Sequence, residues 1–215
     1  MVILRVVFLF SLLVLLTVSS AISVVEFCVA DFNYPVGPAG YPCKNPANLT
    51  VDDFIFSGLG VPGNNSNPFK LGLTYAIDKT FPALNGLGIS MLRQDIAVGG
   101  VVPIHSHRVS ELILVIDGPI VSGFIDGNNV AYYKTLNKGD IMIFPQGLLH
   151  FQVNMGDKPE FFALAFVSLN SANPGFQTTT CSLFANDLPS NVIEKITLLD
   201  ATQVHKMKEL FGGSN

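Results

Sequence analysis

The stretch VPIHSHRVSE, residues 102–111, sets His105, His107 and Glu111 within seven positions. The chain has only four His, and charged residues make up 13% of it, so this is a concentration of metal-binding side chains in a chain poor in ionisable groups. On an extended strand, residues of equal parity share a face. His105 and His107 therefore point the same way, and Pro103 suits the start or edge of a strand. Glu111 has the same parity if the strand runs on. If Arg108–Ser110 form a turn, Glu111 opens the next strand instead, and in either case it stays near. Two imidazoles and a carboxylate supply three metal ligands. A solvated face is the competing reading, but the apolar run after Glu111 argues against it, because an unpaired carboxylate there is costly to bury.

Outward from this stretch, short apolar runs alternate with Gly, Asn and Pro. GISMLRQDIAV (88–98), ELILVI (111–116), NVAYYKTL (129–136), DIMIFP (140–145), HFQVN (150–154) and FFALAFVSL (161–169) are rich in Val, Ile, Phe and Tyr. Such runs with regular turn signals predict an all-β, antiparallel sandwich or barrel. DGNN at 126–129 reads as a hairpin turn. After the turn at Pro145 and Gly147, His150 alternates with Phe151 and can face inward toward the first cluster. Three imidazoles and one carboxylate would then surround one ion, leaving an octahedral metal two positions for water, a dioxygen species or a substrate. His205, between lysines in a helical stretch, is read as a surface residue. In that stretch Asp200 caps a helix, Val204, Met207 and Leu210 recur along it, and Gly212 and Gly213 end it.

The chain has 215 residues, 49% of them hydrophobic, with a net charge of −4. That is ample for a core, and with no basic block it speaks against nucleic-acid binding. Residues 1–23 have the form of a secretory signal: Arg5, a hydrophobic segment from Val6 to Leu16, then Ser19, Ser20 and Ala21. The segment is shorter than the roughly 20 residues that span a bilayer, so no membrane span is expected. In an exported chain Cys28 and Cys43 are expected to bond, while Cys181 is read as a small buried core residue. Asn48 and Asn64 begin N-glycosylation sequons, of which Asn64, in a turn-rich stretch, is the better placed. The chain thus divides into a signal (1–23), an extension of surface loops with the disulfide (24–85), the β-barrel core (86–185) and a helical C-terminus (186–215).

The spacings also form a pattern. Gly99, five residues, His105-x-His107, three residues, Glu111, six residues and Gly118 match one cupin motif. Gly139, five residues, Pro145-x-Gly147, two residues, His150, three residues and Asn154 match the other. Along with FCVADFNYPVGPAGYPCK (27–44), DFIFSGLGVPGN (53–64), FPALNGLGISM (81–91), FPQGLLHFQVN (144–154) and SANPGFQ (171–177), the chain resembles the plant germin-like proteins over nearly its whole mature length. Within them it is similar to the auxin-binding group. The resemblance implies a single jelly-roll barrel with C-terminal helices. It implies manganese (Mn2+) on His105, His107, Glu111 and His150, and a disulfide between Cys28 and Cys43. It also implies a hexamer of three dimers in the extracellular matrix, or apoplast. Ligand chemistry alone would not select manganese, the weakest binder of the common first-row ions.

Three activities follow as expectations from the resemblance. A redox-active ion with an open position can dismutate superoxide, with the four ligands as the catalytic group. Oxalate oxidation is disfavoured, because the positions where true germins carry asparagines hold Leu92 and Val102, which offer a dianion no hydrogen bond. A binding, receptor or storage role is the third. In it Leu92, Val102 and Asn154 line a pocket that takes a flat aromatic carboxylate such as auxin, with its carboxylate near the metal.

Overall fold

The computed structural model describes residues 25–156 and 162–214. The secretory signal expected at 1–23 lies outside the described residues. Among them, two five-stranded antiparallel sheets pack face to face. The first runs in the order β1 (Leu71–Ala76), β2 (Ser90–Ile96), β9 (Ala163–Leu169), β4 (Glu111–Asp117), β7 (Ile141–Phe144). The second runs β10 (Gln177–Thr178), β3 (Val101–Ser106), β8 (Leu149–Val153), β5 (Ile120–Ile125), β6 (Ala131–Leu136).

Inward positions alternate along β4 and β9, as burial on one face requires. Leu92 and Ile96, Ile113 and Val115, and Ala163, Ala165, Val167 and Leu169 meet Val102 and Ile120 in one continuous core with Phe144. The turn at 126–129 closes the β5–β6 hairpin: the Asp126 amide donates to the Val130 carbonyl, and Asn129 takes a left-handed conformation. β3 contains Pro103 where its pairing with β8 shifts register between Val102 and His105. A bulge suits a residue without an N–H.

The sheets begin ahead of the expected start at 86, since Leu71–Ala76 pairs in full register with β2. Gly72 lets the backbone at Gly63 cross close over this strand, where a Cβ would lie 2.4 Å from the Gly63 carbonyl oxygen. The loop is fixed there by Asp95, which accepts from the Gly63 amide at 2.8 Å and pairs with Arg93 at 2.9 Å. Farther toward the N-terminus, Cys28 and Cys43 are disulfide-bonded, as the composition and compartment suggested.

The helices α1 (Thr179–Phe184), α2 (Ser190–Thr197) and α3 (Ala201–Phe211) follow the sheets. Asp200 caps α3 in a capping box with Gln203, and Gly212 ends it in the left-handed conformation. Phe184, Ile193 and Val204 form a second small core. Two expectations are corrected here. Leu210 is 52% exposed, because the 100° advance per residue brings Lys208 and Phe211 inward instead. Cys181 is only half-buried, on α1, where Thr178 caps the helix by accepting from its amide. Among the described residues no helix is long and apolar enough to cross a membrane.

Candidate metal centre

His105, His107, Glu111 and His150 are all buried, and their ligand atoms lie within 4.8 Å of one another. The second sheet carries the imidazoles: His105 and His150 are cross-strand partners on β3 and β8, and His107 follows the end of β3. The chain then turns and crosses to the first sheet, where Glu111 opens β4, paired with Phe144 and Leu169. The alternative in which Glu111 prolongs the first strand is thereby settled in favour of the turn.

Each imidazole is oriented by a backbone carbonyl. His105 Nδ1 donates to Pro103 O and His150 Nδ1 to Leu148 O, both at 2.8 Å, so each ring reaches back two residues along the chain. His107 Nδ1 donates to Gly175 O. Carbonyls only accept, so Nδ1 carries the proton and every Nε2 is left with a lone pair aimed at the centre. Aromatic rings hold the imidazoles from outside. Phe144 stacks on His150 at 4.5 Å, and Phe176 lies 4.8 Å from His105.

The donor set fits a cation. His107 Nε2 and His150 Nε2 lie 2.9 Å and 3.3 Å from Glu111 Oε2. With their protons on Nδ1, both nitrogens and the carboxylate oxygen are acceptors, and such contacts are attractive only around a positive charge. Glu111 Oε1 is buried with no hydrogen-bond partner among the described residues, a second acceptor suited to the same charge. Burial pushes the Glu111 carboxyl upward, but in the metal-free protein a proton that takes the cation's place on His107 or His150 Nε2 outweighs it through hydrogen bonds and charge, and holds the pKa of Glu111 at about 2. Burial, then the neighbouring His150 ring, lowers that of His105 to about 3. The group is thus ionised at the carboxylate and neutral at His105 at ordinary pH, the state a metal requires.

A cavity of about 370 Å³ opens at this end, lined in part by His107, Arg108, Gly147 and Phe176. The Gly175–Phe176 corner that orients His107 and covers His105 was not singled out from the sequence as part of the site. Its only signal is the Pro-Gly turn in SANPGFQ, 68 residues from His107. Leu92 and Val102 are inside the barrel rather than at its mouth, 4% and 1% exposed. Asn154 is not brought to the metal group. It lies four residues beyond His150, about 13 Å along a strand, and its amide donates to Ile96 O and accepts from the Gly156 amide.

Comparison with known proteins agrees with this geometry. The cupin family model matches residues 57–205. An auxin-binding protein of Prunus persica is 53% identical over 96% of this chain and 97% of its own length. A germin-like protein of Morus alba is 50% identical over 96% and 97%. Among solved structures, an oxalate oxidase superposes with a TM-score of 0.82 at 34% identity, covering 89% of this chain and 98% of its own. With both motifs on one jelly-roll and a three-His, one-Glu group at its end, the chain belongs to the cupin family, among the germin-like proteins.

Proposed function

We propose that this chain is a secreted manganese protein that dismutates superoxide, with His105, His107, Glu111 and His150 as the metal ligands. When bound, manganese would supply a one-electron couple and open coordination positions, through which two superoxide ions and two protons become dioxygen and hydrogen peroxide. The chain's part is to fix four ligands, shield them from bulk solvent and admit a small anion. The observation that carries the reading is the character of the two approaches to the group. At the mouth stands exposed Arg108, its guanidinium anchored on Asn173 O at 3.1 Å, a fixed positive charge suited to drawing in an anion. Inside, Leu92 and Val102 are apolar, which suits a diatomic species, and these two positions offer a dicarboxylate no hydrogen bond. Oxalate turnover is disfavoured on the same ground.

The disulfide and the exposure of Asn48 and Asn64 support export to the apoplast and glycosylation. Assembly into a hexamer is supported by apolar side chains that project from the outer face of the first sheet, Leu112 and Leu114 beside Ile141 and Ile143 on its edge strand, and by exposed Ile196 and Leu198 at the end of α2. Such surface is usual where copies meet.

A second reading, auxin binding without turnover, is favoured by the relatives of that name. It is also favoured by an apolar cavity of about 360 Å³ between the outer loops and the first sheet, lined by Phe56, Leu59, Phe81 and Met91 among others. The two readings separate on one preparation. Superoxide decay and an indole-acid titration are measured on manganese-loaded protein, with His105→Ala beside it. Dismutation abolished by the substitution supports the first reading. Silent dismutation with saturable indole-acid binding supports the second.

A further inference from the structure

One pleat repeat below the metal group, one wall of the barrel is polar. Gln152 follows His150 by two residues on β8, so both side chains point inward. Ser122 on β5 is its direct cross-strand neighbour. Both residues are fully buried, and neither the Gln152 amide oxygen, its nitrogen nor the Ser122 hydroxyl has a hydrogen-bond partner among the described residues. On the opposite sheet Gln94 shares the inward parity of Leu92 and Ile96, and its Oε1 is likewise buried with no partner among the described residues. Gln152 is also the cross-strand partner of Val102, a member of the apolar core. Polar groups buried in such surroundings are held to a fold by water, each molecule satisfying roughly two to four of them.

The metal ligands have no proton to give. Each Nδ1–H is committed to a backbone carbonyl, and each Nε2 and the Glu111 carboxylate face the centre. Yet reducing one superoxide to hydrogen peroxide takes one electron and two protons, the electron coming from a second superoxide as it becomes dioxygen. We propose that Gln152, Ser122 and Gln94 enclose ordered water behind the metal group, and that this water hands protons to the oxygen species reduced there. The proton role rests on the dismutation reading, whereas the water does not. In it, Gln152 and Ser122 are positioning residues acting through water.

The test uses the full manganese-loaded protein with Ser122→Ala and Gln152→Met. A high-resolution crystal structure should show water within hydrogen-bond distance of Ser122 Oγ and the Gln152 amide. Ser122→Ala should lower the melting midpoint by roughly 2–4 °C. Both variants should keep their manganese, and peroxide formation should slow about tenfold, most at alkaline pH, with an altered solvent deuterium effect. A chamber without water, with a raised midpoint in Ser122→Ala, overturns the proposal. Water in place with unchanged rates and isotope effects in both variants overturns the proton role. If the wild-type protein binds manganese and water but leaves superoxide untouched, the dismutation reading fails, the proton role goes with it, and the chamber stands.

Discussion

His107 Nε2 lies 2.9 Å from Glu111 Oε2, although the chain passes from one sheet to the other between the two residues. The contact joins two acceptors around a site for positive charge, so the charge on Glu111 matters more than its size. Glu111→Gln keeps the volume and removes the charge. It is expected to lower manganese affinity by well over tenfold, measured by equilibrium dialysis, while circular dichroism stays that of a folded β-protein.

The metal-free protein is expected to lose stability in acid in two stages. His105 has its pKa lowered from 6.5 to about 3 in the fold. Between those values the unfolded chain binds a proton that the folded chain refuses, so stability falls as pH falls, by up to about 1.4 kcal/mol per pH unit. Glu111, lowered from 4.5 to about 2, adds a second loss of the same sign below pH 4.5. Thermal melts from pH 7 to pH 3 check this. A melting midpoint that rises on acidification would contradict the assignment.

How much of this was legible in the sequence varies with the range of the interaction concerned. The shared face of His105 and His107 follows from strand parity, and the α3 cap follows from Asp200 and Gln203 three residues apart, both local relations. The depth of Leu92 and Val102 was not legible, because it depends on where two sheets converge. β1 gives a weak strand signal because LGLTYA is short and broken by Gly72, a residue whose role is to let Gly63 cross over it. α1 was hidden in TTTCSLF, where β-branched Thr argues for strand while Thr178 caps a helix. The Gly175 carbonyl on His107 left almost no sequence signal, because a backbone acceptor has no side chain to read.

Arg108 gives a prediction about rate. Arg108→Gln removes the charge at the mouth without touching a ligand, so manganese content should be unchanged. The second-order rate with superoxide should fall several-fold at low ionic strength, and its dependence on added salt should flatten. Stopped-flow decay of superoxide at two salt concentrations measures both.

The Cys28–Cys43 bridge closes a loop with a sequence separation of 15. Replacing both cysteines with Ala should lower unfolding stability by about 3 kcal/mol in the chain-entropy view. The metal group is remote in the chain and should bind manganese as before. Denaturant melts read with metal analysis separate the two effects.

The most direct measurement of the central claim is the metal content of the protein purified at neutral pH, by elemental mass spectrometry, for wild type and His150→Ala. A single tightly held manganese per chain, absent from the variant, is the expected result. Manganese retained undiminished in His150→Ala, or none bound by wild type under excess manganese, would contradict the convergence of four side chains on one ion.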